Sequence, residues 1–325
     1  MRFFNTHNSG AYALAVCALT ASAAYAQAYP TRPIRMVIPF SAGGATDVPA
    51  RLIAAKLSDA FGQQVIVDNR PGAGSAIGSE IVARAQPDGY TLLLTGTPFA
   101  VIPALYGKLP FDPARDFAPV MQVALAPNVL VVHPSLGVRS TKELIALAQS
   151  QPGKINYASG GTGGATHLFA SLFLSMAKIT MTHVPYKGSG PATADLLGGH
   201  VKVGLPGIAI VIPHAKAGRM VALAITSAQR SRVAPDLPTV AELGFPGFEV
   251  VGWFGWLAPA RTPHEIVARL NGNIVKVLRS TETQDRLIAL GCEPVGNTPL
   301  QFAMFVNSER DKWARVIKQA GIKLD

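Results

Sequence analysis

The 325-residue chain is poor in charge, cysteine and aromatic residues. Charged residues make up 15% of it, against about 25% in an average soluble protein. That excludes coiled coils and long acidic or basic tails. The two cysteines, Cys17 and Cys292, supply neither a disulfide framework nor a zinc cluster. No G-x-S-x-G, H-E-x-x-H, C-x-x-C or Walker A pattern occurs. Gly72-Ala73-Gly74-Ser75-Ala76-Ile77-Gly78 misses G-x-G-x-x-G by one residue. His167, His183, His200 and His214 share no metal-ligand spacing, so neither metal nor cofactor is expected. The formal net charge is +10, but the basic residues are scattered and aromatics are only 7%. Nucleic acid is therefore not the expected partner; a field that attracts small anions is.

Apolar residues reach 49%, enough for a substantial core in about two domains. The first 26 residues carry one charge, Arg2, then an Ala-rich apolar stretch ending in Ala24-Tyr25-Ala26. This is the pattern of a secretory signal peptide cleaved after Ala26. Leu14-Ala15-Val16-Cys17 hints at lipidation of Cys17, although Val16 is large for that position. The stretch is too short and too weakly apolar for a spanning helix, which needs roughly 20 strongly apolar residues. The mature chain keeps a charge of +9 and one thiol, Cys292. A small buried apolar residue is the expected role of that thiol.

Strand-like and helix-like runs alternate along the mature chain. Residues 34–40, 65–67, 91–94, 129–132, 155–158, 181–186 and 221–225 read as strands. Residues 47–61, 75–85, 141–149, 166–177, 191–197, 263–278, 282–290 and 300–320 read as helices. The alternation predicts an α/β fold with mostly parallel sheets.

Two glycine loops stand out. The first strand ends at Pro39-Phe40-Ser41 and is followed by Ala42-Gly43-Gly44-Ala45-Thr46-Asp47 and a helix. A later strand ends at Ser159 and is followed by Gly160-Gly161-Thr162-Gly163-Gly164-Ala165-Thr166-His167 and a helix. Gly-Gly-Ala-Thr thus recurs after 120 residues in the same setting. Glycines permit tight turns and close ligand approach, and helix starts present N–H groups to anions. A pair of such loops facing across a cleft suits a small carboxylate. Tight turns without a ligand are the alternative.

Beyond these loops, the sequence resembles the periplasmic substrate receptors of the tripartite tricarboxylate transporter family, the Bug receptors. The resemblance runs through Tyr29-Pro-Thr-Arg-Pro-Ile-Arg35 and Val37-Ile-Pro-Phe-Ser-Ala-Gly-Gly-Ala-Thr-Asp47. It continues in Asn69-Arg-Pro-Gly-Ala-Gly74, Pro87-Asp-Gly-Tyr-Thr-Leu-Leu-Leu94, His183-Val-Pro-Tyr-Lys-Gly188 and Asp195-Leu-Leu-Gly-Gly199. It implies a type II periplasmic-binding-protein fold and no catalysis. The expected division is a signal peptide at 1–26, lobe 1 at 27–127 plus 251–325, and lobe 2 at 128–250. The implied partners are a small carboxylate and the membrane subunits of the transporter, with the receptor a periplasmic monomer.

The ligand residues implied in lobe 1 are Phe40, Ser41, Ala42, Gly43, Gly44 and Asp47. Those implied in lobe 2 are Ser159, Gly160, Thr162, Gly163, Gly164, Thr166 and His167, with Tyr186 and Lys187 nearby. Asp47 either meets the ligand or caps its helix. Trp253 walls the cleft or packs in the core. One departure is Gly204-Leu205-Pro206-Gly207, where family members often carry an acid or amide. Two other readings stay open. One is an exported sensor that presents its ligand to a membrane kinase. The other is an exported enzyme with Ser41 or Ser159 as nucleophile, which would need a base such as His167 in reach.

Overall fold

The structure is a computed structural model and describes residues 29–43 and 46–322. The expected signal peptide, Cys17 and Gly44 lie outside the described residues.

The first sheet begins with β1 (Ile34–Ile38), which feeds α1 (Asp47–Phe61). Then come β2 (Val65–Asn69), α2 (Ala76–Ala83), β3 (Thr91–Gly96) and α3 (Thr97–Leu105). The long strand β4 (Phe117–Pro127) carries the chain out to the second sheet. That sheet contains β5 (Val129–Val132), β6 (Asn156–Ser159), β7 (Thr182–Pro185), β8 (Val203–Gly204) and β9 (Val221–Ile225). Its helices are α4 (Thr141–Ser150), α5 (Ala165–Ala177), α6 (Ser189–Leu197) and α7 (Ile208–Lys216). The chain returns through β10 (Val251–Pro259), α8 (His264–Arg279), α9 (Thr281–Ala289), β11 (Glu293–Pro294) and α10 (Pro299–Ala320).

The strand orders are β11-β4-β10-β3-β1-β2 and β7-β6-β8-β5-β9. Among the described residues, four of the nine strand pairings are parallel and five are antiparallel, which corrects the expectation of mostly parallel sheets. The antiparallel pairs arise where the chain crosses between sheets. β10 returns beside β4, with Val251 opposite Pro127, and inserts between β4 and β3. Apolar content marks a buried strand but not its direction.

The crossing is tied down by Asn128. Its Nδ2 donates to Leu205 O at 2.7 Å, and its carbonyl accepts from Thr226 N and Thr226 Oγ1 at 3.0 Å each. The C-terminal helix α10 packs against both units. It contributes Phe302 and Val306 to the core shared with β3 and α3, and its Trp313 stacks on Phe169 of α5 at 5.6 Å. Trp253 is fully buried and lies edge-on to Phe302 and Phe305, so it is a core residue and not a cleft wall. Burial of a side chain of this size stabilises by about 2–3 kcal/mol.

Helices cover opposite faces of each sheet. In the first, α1 packs on the Leu92 and Leu94 face, while α2 and α3 pack on the Val37 and Leu93 face. In the second, α4 and α5 cover one face, and α6 and α7 the other. A crevice therefore opens at the carboxyl ends of the strands where the helices diverge, the usual ligand position in such sheets.

Candidate functional site

Each glycine loop leaves a sheet at such a crevice. Loop 1 follows β1 and loop 2 follows β6, and the two share one internal clamp. In loop 1, Gly43 has φ of 75° and donates its N–H to Asp47 Oδ2 at 2.8 Å. In loop 2, Gly163 has φ of 73° and donates its N–H to His167 Nδ1 at 3.0 Å. In both, a glycine in the left-handed region turns the chain, and the side chain four residues on holds its amide. Only glycine takes this conformation without strain.

Asp47 is almost fully buried and answers the question raised by the sequence with a third role. Thr46 is the N-cap of α1, and no side chain caps that helix. The Asp47 carboxylate instead accepts from Gly43 N, from Arg51 Nε at 2.9 Å and from Asn69 Nδ2 at 2.8 Å. Asn69 Nδ2 also reaches Phe40 O at 3.0 Å, so this network fixes both ends of loop 1. Burial raises the Asp47 pKa, but the hydrogen bonds from Arg51, Gly43 and Asn69 and the Arg51 charge outweigh it and leave it below the usual range. Ser41, Ala42 and Gly43 are exposed and Phe40 is half-buried.

Loop 2 is held from several sides. Ser159 Oγ lies 2.6 Å from His183 Nε2 and accepts the Gly161 N–H at 3.1 Å. Thr166 Oγ1 accepts the Gly160 N–H at 2.9 Å, and Gly160 O accepts the Gly188 N–H at 3.1 Å. The Gly164 N–H bonds to Gly161 O at 3.1 Å, which corrects the expectation that it points at a ligand. Gly164 has φ of −72°, so its limit on substitution is contact and not backbone sign. Among the described residues, the amides of Ala165, Thr166 and His167 at the start of α5 make no bond within the chain. These are the groups that an anion can use.

The imidazoles of His167 and His183 stack face to face, 3.9 Å between centroids, and Tyr157 continues the stack on His183 at 4.9 Å. Burial and the neighbouring His183 push the His167 pKa down to about 4, and burial lowers that of His183. Both rings are therefore neutral at neutral pH, as the Gly163 bond to a bare Nδ1 requires. Ser159 thus has a histidine in reach, but it is His183 and not His167. Its hydroxyl is buried and engaged by the loop, and no third group orients His183 among the described residues.

The expected residues do not all face one space. Ser159, Gly160 and Thr166 line a small apolar recess of about 20 Å³ with Ala192, Leu196 and Leu205. Thr162 and His167 line a separate cavity of about 740 Å³ beside the end of α10. The Tyr186 hydroxyl donates to Asp195 Oδ2 at 2.7 Å; burial and that carboxylate push its pKa up to about 12. Lys187 is exposed and has no side-chain partner among the described residues. The departure at Gly204–Gly207 places Leu205 and Pro206 in the recess wall. Sequence reading missed Arg51, Asn69 and His183 as site builders. The Asn69-Arg70-Pro71-Gly72 and His183-Val184-Pro185-Tyr186 phrases carried the only hints, of Asn69 and His183.

Two mixed α/β sheets, paired crossings and one clamped glycine loop on each sheet define a two-lobed α/β binding protein. The family model described as tripartite tricarboxylate transporter family receptor matches residues 49–322, and the chain belongs to that family. BugT of Bordetella pertussis is 41% identical over 301 residues, covering 92% of each protein. A solved R. palustris protein with adipate aligns with a TM-score of 0.81 at 39% identity, covering 91% of this chain and 99% of that one. MatC from Rhodopseudomonas palustris with bound malate aligns at 0.76 and 33%, covering 89% and 100%. No helix of the described residues is long and apolar enough to cross a membrane.

Proposed function

We propose that this protein is a periplasmic receptor that captures a small carboxylate between lobe 1 (27–127 plus 251–325) and lobe 2 (128–250). It hands that ligand to the membrane subunits of a tripartite tricarboxylate-type transporter. One observation carries the reading: each sheet presents a clamped glycine loop at its crevice, and in loop 2 three amides at a helix start are unpaired. A carboxylate held there gains charge-assisted hydrogen bonds worth about 1.5–3 kcal/mol each. The adipate and malate in the two solved relatives support a dicarboxylate as the ligand class.

A thermal-shift screen of the mature protein against organic acids tests this. A ligand at 100 times its Kd adds about 2.7 kcal/mol of stability. A clear rise in Tm with one or more dicarboxylates is expected. No shift with any mono-, di- or tricarboxylate overturns the reading.

A further inference from the structure

Lobe 1 contains a group of buried hydroxyls with no partner among the described residues. Among the described residues, Ser75 Oγ, Ser79 Oγ, Thr95 Oγ1 and Thr97 Oγ1 have no hydrogen-bond partner, and all four residues are at least nine-tenths buried. They lie on segments that pack together. Ser75 and Ser79 are one helical turn apart at the start of α2. Thr95 follows Leu93 on the β3 face that α2 and α3 cover, and Thr97 opens α3. A side chain added to Gly74 would meet Tyr106 and Ile102 at the end of α3, which shows how closely this turn lies against that helix. Gly78 sits against Pro39, next to the segment that enters loop 1.

The topology puts Thr95 and Thr97 at the carboxyl end of β3, beside that of β1. β1 and β3 are parallel neighbours, yet α1 leaves β1 for one face and α3 leaves β3 for the other. Ligands bind where neighbouring connections diverge in this way. The first residues of α3, Thr97 among them, follow directly on Gly96 at the carboxyl end of β3. They bring the positive end of that helix to the same place. Loop 1 itself has little to offer an anion there, because Asp47 holds the Gly43 N–H and adds a negative charge.

Ser75 is the telling residue. It has φ of 91°, a left-handed conformation that glycine takes more readily. It occupies the N-cap of α2, yet its side chain makes no cap bond. A serine that neither caps nor bonds, at a position suited to glycine, has its hydroxyl free for another molecule.

We propose that Ser75 and Thr97 form a hydroxyl arm of lobe 1 that receives the second carboxylate of a linear dicarboxylate. The first carboxylate is held by loop 2, so this assignment rests on the function proposed above. Neutral donors and a helix start suit a carboxylate next to Asp47 without adding a competing charge.

The test uses the mature protein, Ser75→Gly, Thr97→Val and Thr97→Ser. Each is titrated calorimetrically with adipate and hexanoate, and with succinate and butyrate. Ser75→Gly should raise the thermal midpoint by relieving the backbone, yet weaken the diacid about tenfold. Thr97→Val, equal in shape, should weaken the diacid similarly, and Thr97→Ser should retain binding. The monoacids should bind all four proteins equally. Wild-type binding of a diacid with unchanged affinity in Ser75→Gly and Thr97→Val overturns the arm and leaves the receptor reading intact. Equal weakening of diacid and monoacid also overturns it. If the wild-type protein binds neither diacid, the arm and the linear-dicarboxylate reading fall together.

Discussion

Replacing His167 with asparagine should remove much of the acid sensitivity that loop 2 gives to folding. In the native protein, burial and His183 hold the His167 pKa at about 4, against 6.5 for an ordinary histidine. Between those values the unfolded chain binds more protons than the native one, so stability falls as pH drops from 6.5 towards 4. At pH 5 the gap from the unfolded pKa is about 1.5 units, which corresponds to about 2 kcal/mol at roughly 1.36 kcal/mol per unit. At pH 7.5 the contribution is essentially complete and constant. Below pH 4 the native imidazole also protonates and loses its bond from the Gly163 amide. Asparagine has no such titration, and an oxygen at this offset can reach the glycine amide, as Asp47 does with Gly43 at 2.8 Å. Urea unfolding followed by circular dichroism at pH 7.5 and pH 5.0 measures both proteins. The wild-type chain should lose about 2 kcal/mol more than His167→Asn over that interval. Equal losses would show that His167 is not held neutral by its surroundings and would refute the clamp as described.

Gly163→Val should destabilise the fold by about 1–3 kcal/mol, because φ of 73° is strained for a branched residue; the shift of the urea midpoint measures it. Asp47→Ala should cost at least about 2 kcal/mol, since it strips a charged acceptor from Gly43, Arg51 and Asn69 together. A loss below about 0.5 kcal/mol in the same assay would mean that loop 1 is held by other contacts. The Cys292 thiol is buried, and burial pushes its pKa up to about 12. It should resist a disulfide-exchange reagent at pH 8 in the native mature protein and react once per chain in denaturant.

The loops, most helices and the strands β1, β2, β3, β5, β6, β7 and β9 were legible because their apolar runs and glycine stops are local signals. The connecting elements were not. β4 contains Pro119 and ends in Pro127, and β10 contains Gly252 and Gly255, which read against strands even though both pair over long stretches. α3 carries Pro98 and Pro103, and α7 carries Pro213, so neither stood out as a helix. In the site, the 120-residue repeat was visible but its chemistry was not. That Asp47 and His167 turn inward to hold their own loops depends on burial and on partners such as Asn69 and His183. The parallel register of β6 and β7 brings His183 beside Tyr157 and within reach of Ser159. No local spacing in the sequence announces that contact.

The most direct test of the central claim is a crystal structure of the mature protein with the acid that gives the largest thermal shift. A ligand carboxylate is expected within hydrogen-bond distance of the Ala165 and Thr166 amides, with the rest of the molecule reaching across to lobe 1. A ligand held by Lys187 at the surface, or seated away from both glycine loops, would contradict it.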